Sequence, residues 1–301
     1  MKSGTRTVMK LQVPAILLAL MVAPAQARSF RQEQLRYPRV RAAYAQKADW
    51  MIARLAEKGL KREEIHILLR AFKKERVLEL WVKKTDQDRY IHLQDYAFCS
   101  TSGVLGPKRR QGDWQIPEGY YHIDRFNPWS RFHLSLGINY PNPLDRIRKT
   151  APDPGGDIFI HGSCVTIGCI PLTDDKIREL YIFAVEARSN GQERIPVHIF
   201  PLRMSAENMK DLEMEFADRP DLIAFWKNLQ TGYDYFRENR KISRVRVSRQ
   251  GEYNLSQPVR ETAPTLVSLI SVFISVWCMV SSALLYCGLQ IEMAGAKGKG
   301  D

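Results

Sequence analysis

Cysteine is scarce in this chain of 301 residues, which contains five. Cys278 and Cys287 fall in an apolar segment near the C-terminus, so Cys99, Cys164 and Cys169 remain for the part of the chain before it. Three cysteines are too few for a disulfide framework of the kind that holds small secreted domains together. A Cys99–Cys164 bridge is compatible with an oxidising compartment, and the sequence leaves that pairing open.

Charged residues are missing between Thr262 and Gln290, where Leu, Val, Ile, Phe, Trp and Ala dominate. About 20 apolar residues are enough to cross the ~30 Å hydrocarbon layer of a membrane. The composition therefore predicts a transmembrane helix over 263–289, preceded by a basic juxtamembrane linker (241–262) and followed by a short tail (290–301). A buried core helix is the alternative, although an uncharged run of this length is rare in soluble proteins.

The N-terminal residues have the pattern of a secretory signal peptide over 1–27. Lys2, Arg6 and Lys10 precede a short apolar run. Ala25-Gln26-Ala27 has the spacing of small residues that signal peptidase recognises. An N-terminal membrane anchor is the alternative, but the apolar run is short for a membrane span. We expect export, with cleavage after Ala27.

Acidic residues are outnumbered, since 33 Asp and Glu face 45 Lys and Arg and give a formal net charge of +12. A basic protein of this kind can bind nucleic acid, but an exported protein rarely meets it, and we expect no nucleic-acid partner. Anionic lipid headgroups or a carboxylate-rich cell-wall polymer are the favoured counterparts.

Between the two ends remain about 230 residues, enough for one sizeable core. No internal repeat or low-complexity tract occurs there. Helical spacing predicts helices over 41–58, 174–189, 205–216 and 221–238, and strand-like patterns predict strands over 65–72, 77–83, 90–98, 132–140, 157–161 and 195–201. Residues 142–156 are rich in Pro, Gly and Asp and indicate a loop. The pattern favours an α+β fold with a β-rich core and flanking helices.

The segment DIFIHGSCVTIGCIPLT (157–173) carries the chemistry that the sequence offers. His161 ends a predicted strand, and Cys169 follows eight residues later, after a turn that contains Gly162 and Gly168. A thiolate beside an imidazole is a nucleophile for acyl carbons. The turn before Cys169 is also suited to present main-chain N–H groups to an oxyanion.

Three other interpretations of this segment stay open from the residues alone. His161 can be a satisfied histidine at a strand end, with Cys169 an inert buried thiol. His161, Cys164 and Cys169 can be zinc ligands, although they lack the separated pairs of structural zinc sites and no fourth ligand is evident. A Cys164–Cys169 disulfide would silence the nucleophile.

The order His-Gly, a short insert and then Thr166-x-Gly168-Cys169 resembles the active-site signature of the YkuD-type L,D-transpeptidases, and the longer string HGSCVTIGCIPLTDDKI is similar to their YafK-like branch. The blocks WQIPEGYYHI, FHLSLGINYPNPLDR and VHIFPLRMSAENM extend the resemblance over about residues 65–235. It implies that Cys169 is the nucleophile and His161 its base. It also implies that Gly162, Thr166 and Gly168 shape the oxyanion-binding turn.

The resemblance also implies a division of the chain. An N-terminal helical segment (28–60) would precede a catalytic domain (61–203) built from mixed sheets in a sandwich-like arrangement, and C-terminal helices (204–240) would pack on it. The C-terminal membrane helix is not a usual feature of the branch.

One departure concerns the residue two positions after the cysteine, where many relatives carry arginine and this chain has Pro171. Arg146 is the candidate replacement for holding a substrate carboxylate, with a loop salt bridge as the alternative role. His133 and Tyr140, from the same block of resemblance, are predicted to have lesser roles in binding the substrate.

The resemblance implies a cysteine-dependent L,D-transpeptidase that acts on peptidoglycan stem peptides through a thioester, without metal or organic cofactor. A first alternative is an amidase of the same fold that releases a lipoprotein from peptidoglycan. A second is an inactive, membrane-tethered wall-binding protein. In each case we expect a place in the bacterial periplasm, with the C-terminal helix anchored in the inner membrane.

Overall fold

The computed structural model describes residues 29–256. The predicted signal peptide (1–27) and the predicted membrane helix (263–289) with its tail (290–301) lie outside the described residues. Within residues 29–256, no helix combines the length and the apolar composition that a membrane span requires. The described residues thus give no support for the transmembrane helix that we expected as part of the fold, and the predicted span itself lies outside them.

The described chain folds into ten strands and six α-helices. They are, in chain order, α1 Phe30–Gln34, α2 Pro38–Ala56, β1 Ile65–Phe72, β2 Val77–Lys84, β3 Ile91–Ala97, β4 Gly119–Asn127, β5 Ser135–Ile138, α3 Pro143–Ile147, β6 Phe159–His161, β7 Ile170–Pro171, α4 Asp174–Ser189, β8 Ile195–Phe200, α5 Ala206–Glu215, α6 Pro220–Asn239, β9 Arg244–Val247 and β10 Tyr253–Ser256.

Eight of the strands form one curled sheet in the order β3-β2-β1-β8-β4-β5-β6-β7. The pairs β1–β8 and β6–β7 are parallel, and the other pairs in this sheet are antiparallel. The remaining two strands, β9 and β10, form a separate antiparallel hairpin. The short strands β6 and β7 therefore lie at one end of the sheet, with β7 on its edge.

Both faces of this sheet are covered, as the alternating side chains of β1 indicate. Ile67 and Leu69 belong to the cluster formed with α2 and α4. On the opposite face, Leu68 packs with Phe236 of α6, and the Arg70 guanidinium lies 4.9 Å from the ring centroid of Tyr233. Successive residues of a strand point to opposite faces, so helices bury the sheet from both sides.

The predicted sandwich-like arrangement of mixed sheets is wrong, because the eight core strands form a single mixed sheet. A strand needs a partner layer for its apolar face, and short strands with turns between them are typical of sandwiches. Here α2 and α4 supply that layer on one face, and α6 with the β9–β10 hairpin supplies it on the other. The β-rich core with flanking helices is retained.

Several elements occur where the sequence indicated none, among them strand β4, which lies inside the sheet, and the short strand β7. Helix α3 lies inside the predicted loop 142–156, where the Asn142 side chain accepts the Asp145 N–H and the Asp145 carboxylate accepts the Asn142 N–H. The β9–β10 hairpin lies inside the predicted linker, and Tyr253 of β10 is buried against Tyr120. The predicted domain boundaries remain predictions.

Candidate active site

The pairing of β6 with β7 brings His161, at the end of β6, and Cys169, just before β7, onto neighbouring segments of the sheet. In this parallel pair, Ile160 lies opposite Ile170 and His161 lies opposite Pro171. Cys169 lies in the bend directly before β7, and the hydrogen bonds of its sulfur run to the backbone of Phe159 and Asp157 beside it. The two residues are diagonal neighbours across adjacent strands.

The turn that carries the nucleophile candidate, here called the cysteine turn (residues 162–169), is closed by Thr166. Its Oγ1 accepts hydrogen bonds from the N–H of Gly168 (3.2 Å) and of Cys169 (2.8 Å), and donates one to the Cys169 carbonyl (2.9 Å). Both N–H groups are thus satisfied within the turn, so the oxyanion role that we expected of this turn stays a prediction.

Glycine is required at both predicted positions of the cysteine turn. Gly168 has a φ of +131°, and a Cβ there would lie 3.0 Å from the Gln115 carbonyl oxygen. At Gly162 a Cβ would lie 2.6 Å from Asp174 Oδ1 and 2.8 Å from the Phe132 carbonyl oxygen. These approaches are closer than any larger residue tolerates without movement of the backbone, so the turn packs tightly on its surroundings.

The Cys169 sulfur is partly exposed and hydrogen-bonded to the backbone of the β6 segment. It accepts the Phe159 N–H at 3.4 Å, and its S–H points to the Asp157 carbonyl at 3.7 Å. Burial raises the pKa of this thiol above its usual value, and the Asp157 carboxylate adds to the increase, whereas the Phe159 N–H and the Lys108 ammonium oppose it. Burial therefore favours the neutral thiol over the thiolate at this position.

His161 is buried at the end of β6 and is oriented by its own backbone neighbourhood. Its Nδ1 donates to the Gly162 carbonyl at 2.5 Å, which leaves Nε2 as the unprotonated nitrogen. The ring packs on Phe132 with 4.6 Å between centroids. Burial lowers the pKa of His161, more than the Gly162 carbonyl raises it. A neutral imidazole with a basic Nε2 is the state that a general base needs.

A disulfide joins Cys99 to Cys164, with 5.2 Å between the Cα atoms, and leaves Cys169 as a free thiol. Two of the alternative interpretations of this segment are therefore wrong. Cys164 is not bonded to Cys169, and a disulfide-bonded sulfur is not available as a zinc ligand. The bridge ties the cysteine turn to the end of β3, where the Cys99 N–H also donates to the Pro171 carbonyl at 3.1 Å. The cysteine turn is held covalently on one side and by hydrogen bonds on the other.

The three residues predicted to bind substrate lie in different settings. Tyr140 is buried and donates its hydroxyl to the Pro154 carbonyl at 2.8 Å. Arg146 is exposed on α3 and donates to the Pro141 carbonyl. His133 has a φ of +67°, and its Nε2 is buried without a hydrogen-bond partner. Burial lowers the pKa of His133, and the Arg178 guanidinium adds to the decrease. Their roles in binding remain predictions.

The loop 99–118 beside the cysteine turn was missed by sequence reasoning. Lys108 is buried there and donates to Asp113 Oδ1 at 2.6 Å. It lowers the pKa of Cys169, so it acts electrostatically on the sulfur. The signal present in the sequence was the run Lys108-Arg109-Arg110 followed closely by Asp113, which we had included only in the net positive charge.

A buried ion pair fastens this loop to the centre of the sheet. Lys73, directly after β1, donates to the Gly106 carbonyl (2.7 Å), the Ile116 carbonyl (3.0 Å) and Glu118 Oε1 (2.9 Å). Glu118 also accepts the indole N–H of Trp226 in α6 at 2.8 Å. The loop next to the cysteine turn therefore takes its position from β1 and α6.

Comparison with known proteins gives relatives over the part of the chain that holds these residues. The family model of YkuD, the L,D-transpeptidase catalytic domain, matches residues 67–199. The YafK protein of Escherichia coli (strain K12) is 40% identical over 195 residues, which make up 64% of this chain and 75% of YafK. Its counterpart in Escherichia coli O157:H7 gives the same values.

Two solved structures are also similar. The helical cell shape determining protein Pgp2 from Campylobacter jejuni has a TM-score of 0.37 and 16% identity, over 66% of this chain and 80% of Pgp2. Bd1075 from Bdellovibrio bacteriovorus has a TM-score of 0.33 and 18% identity, over 52% of this chain and 56% of Bd1075. TM-scores this low carry no argument about the fold or the function.

The family match spans His161, Thr166 and Cys169, and the identity to YafK extends over three quarters of that protein's length. Both findings confirm the resemblance that the sequence motifs indicated. The chain therefore belongs to the family of proteins with a YkuD-type L,D-transpeptidase catalytic domain.

Proposed function

We propose that this protein is a cysteine-dependent L,D-transpeptidase that acts on peptidoglycan stem peptides through a thioester at Cys169. Membership of the family supports a transpeptidase-type enzyme with a peptidoglycan-related function. The observation that carries the finer proposal is the free thiol of Cys169, which follows the Thr166-closed turn next to the strand that ends in His161.

In the proposed first step, the Cys169 sulfur attacks the carbonyl at the L-centre of diaminopimelate in a tetrapeptide stem. His161 Nε2 takes the thiol proton as the C–S bond forms. The C–N bond to D-alanine then breaks, and the imidazolium returns the proton to the departing amine. Burial favours the neutral form of the Cys169 thiol, so we propose that proton transfer accompanies the attack.

In the second step an amine of another stem, or of a lipoprotein lysine, attacks the thioester. His161 removes a proton from this amine, and the sulfur leaves and is reprotonated by the imidazolium. Water in place of the amine would make the same site an amidase. The chemistry of the two outcomes differs only in the acceptor that reaches the thioester.

The Cys99–Cys164 disulfide supports a location in an oxidising compartment, since disulfides persist outside the reducing cytosol. We accordingly place the enzyme in the periplasm of the cell envelope, where peptidoglycan is found. This location belongs to the proposal.

Intact-protein mass spectrometry after incubation with tetrapeptide muropeptides tests the proposal. We expect a mass increase equal to the stem without its terminal D-alanine, present in the wild-type protein and absent in Cys169→Ala. New cross-linked muropeptides would identify a transferase, and released tripeptide from lipoprotein-linked muropeptides would identify an amidase. Binding to peptidoglycan without any adduct would show an inactive wall-binding protein and would overturn the proposal.

A further inference from the structure

The loop between β4 and β5 (residues 128–134), here called the aromatic loop, lies against the proposed general base. Its Phe132 is not a core residue, since 39% of it is exposed. The Phe132 ring nevertheless packs on the buried imidazole of His161, with 4.6 Å between the ring centroids and 31° between the ring planes. The aromatic loop therefore contacts the base directly, through a ring that remains partly in solvent.

The backbone of the aromatic loop also holds the residue that follows the base. The Gly162 N–H donates to the Leu134 carbonyl at 3.1 Å. A Cβ at residue 162 would lie 2.8 Å from the Phe132 carbonyl oxygen, so the two segments are in close contact. The Gly162 carbonyl in turn accepts the Nδ1–H of His161. The aromatic loop thus supports both one face of the imidazole and the residue whose carbonyl selects its tautomer.

His133, between these two contacts, has an unfavourable backbone conformation. Its φ of +67° lies in the left-handed region, which residues other than glycine adopt only at a cost in free energy. Such a conformation persists where surrounding contacts hold it in place. The conformation of the aromatic loop therefore depends on a contact from outside the loop.

Arg39 in the first turn of α2 supplies that contact. Its Nη1 donates to the Ser130 carbonyl at 2.6 Å and to the His133 carbonyl at 2.8 Å. One charged donor thus joins both ends of the bend that presents Phe132, and hydrogen bonds from a charged donor are stronger than those between neutral groups. Arg39 lies outside residues 67–199, which the family model matches.

Helix α2 is a firm support for this arginine because it is anchored on α4. Val40, next to Arg39, is fully buried in the main core. The Tyr44 hydroxyl donates to Glu186 Oε1 at 2.8 Å, and Lys47 Nζ donates to Glu179 Oε1 at 3.0 Å. The position of the guanidinium is therefore set by the packing of two helices and not by the aromatic loop itself.

We propose that Arg39 is a positioning residue for His161, which holds the aromatic loop from α2 so that Phe132 and Gly162 keep the imidazole oriented with Nε2 free. Arg39 acts through these two residues and does not touch the reacting atoms. That His161 is the general base rests on the proposed function, whereas the orientation of its ring does not. In this arrangement the N-terminal helices support the active site as well as the core.

Arg39→Met tests this role, because methionine keeps much of the aliphatic stem and removes both hydrogen bonds. Arg41→Met is the matched control. Arg41 lies on the same helix, and its Nη1 also donates to two carbonyls, those of Leu35 at 3.1 Å and Arg36 at 2.8 Å. Each variant loses one charge and two hydrogen bonds to the backbone, and the two variants differ in the segment that is released.

Nitrogen-15 NMR of the histidine side chains in the full chain reports the orientation of His161 without any reaction, and His161→Gln assigns its signal. The neutral wild-type ring should be a single Nδ1–H tautomer, as the bond to Gly162 requires. In Arg39→Met we expect exchange between two tautomers. The pKa of His161 should also rise, since burial lowers it in the native protein. Arg39→Lys should restore the single tautomer, and Arg41→Met should retain it.

The rate of adduct formation at Cys169 is the second measurement. Misplacement of a catalytic group by about 1 Å costs up to about 10²-fold in rate, so we expect Arg39→Met to react about tenfold or more slowly than Arg41→Met. The two variants should have similar melting temperatures. Phe132→Leu should show the same loss as Arg39→Met, and Phe132→Tyr, which restores a ring, should recover most of the rate.

An unchanged tautomer and pKa of His161 in Arg39→Met would overturn the positioning role, whatever the rate. Equal changes in Arg39→Met and Arg41→Met would also overturn it, since they would come from α2 as a whole. If Arg39→Met does not fold, Phe132→Leu, which leaves α2 intact, decides the question by the same NMR criterion. A tautomer that changes as expected in a protein that forms no adduct would refute the proposed function alone.

Discussion

The centre of the sheet and its β5–β6–β7 end belong to one hydrogen-bonded sheet but are stabilised in different ways. Strands β1 and β2 each have eight residues, and helices cover both faces of β1. Strands β6 and β7 have three and two residues, and the chain between them is fixed by Thr166 and by the Cys99–Cys164 bridge.

The two regions therefore have different roles: the centre of the sheet stabilises the fold, and its β5–β6–β7 end positions the reacting groups. Burial of apolar side chains is non-directional and tolerates small shifts, whereas a nucleophile and its base need a defined geometry. At the β6–β7 end, directional hydrogen bonds and a covalent bridge supply that geometry. Mutations at the centre should therefore act on stability, and mutations at this end on activity.

The largest effect should come from the base. We expect His161→Gln to slow adduct formation at Cys169 by about 10²–10⁴-fold, because a positioned general base contributes that much. The melting temperature should change little. His122→Gln, a half-buried histidine of β4, is the control. An equal loss in both variants would mean that His161 acts through the fold and not as the base.

At the centre of the sheet, Leu69→Ala should lower the free energy of unfolding by about 2–5 kcal/mol. Leu69 is fully buried between Leu80 and Val197 on the neighbouring strands, so its removal leaves a cavity. Urea denaturation measures the loss, and adduct formation per folded molecule should stay unchanged. A parallel fall in activity would show that the two regions are not separable.

The disulfide joins the cysteine turn to the chain that follows β3, the strand at the opposite edge of the sheet, and should affect both properties. Cys99→Ser with Cys164→Ser removes a bridge between residues 65 apart, at an expected cost of about 2–4 kcal/mol. Activity should fall as well, because the cysteine turn loses its covalent support. Denaturation and adduct formation of the double variant, each compared with the wild-type protein, measure the two losses, and unchanged activity would limit the bridge to stability.

A smaller effect is expected from Thr166→Val, which keeps the shape of the side chain but removes the Oγ1 that closes the turn. A lost side-chain hydrogen bond costs about 1 kcal/mol, which equals a factor of about five in rate, so we expect roughly a fivefold loss of activity and a slight loss of stability. Thr166→Ser restores the hydroxyl and should recover most of the rate. Failure of serine to rescue would assign the loss to packing.

The smallest predicted effect concerns pH. Because burial raises the pKa of Cys169, the thiolate fraction at any pH is lower than in the unfolded chain. Alkylation by iodoacetamide should therefore reach half of its maximal rate at a higher pH in the native protein than in urea. Peptide mass spectrometry resolves Cys169 from the other cysteines. A lower midpoint in the native protein would show an ionised resting sulfur.

The sequence predicted best the elements whose signals are local. Strand β1 and helix α4 were predicted with their observed bounds, and α4 is capped by Thr173, whose hydroxyl accepts the Lys176 N–H. Helix α3 was missed because five residues in a Pro-rich segment show no period. The β9–β10 hairpin was missed because its segment is rich in basic residues and its buried aromatic residue, Tyr253, gives no alternating apolar pattern by itself.

The candidate site was predictable in its residue types but not in its arrangement. The motif gave His161, Thr166 and Cys169, yet nothing in the spacing indicates that the Thr166 hydroxyl would occupy the N–H groups of the turn. The pairing of Cys164 with Cys99, 65 residues away, is determined by the tertiary structure and not by the local sequence.

The attachment of the loop 99–118 to Lys73 has a consequence for any attempt to alter specificity. The Lys73 ammonium group, just after β1, binds the Gly106 and Ile116 carbonyls, and the loop that it holds also carries Lys108, which acts electrostatically on Cys169. A library restricted to residues that face the ligand would leave out the position that sets the path of this loop. Randomising residue 73 together with residue 118 would sample paths of this loop that substitutions at ligand-facing positions alone cannot produce.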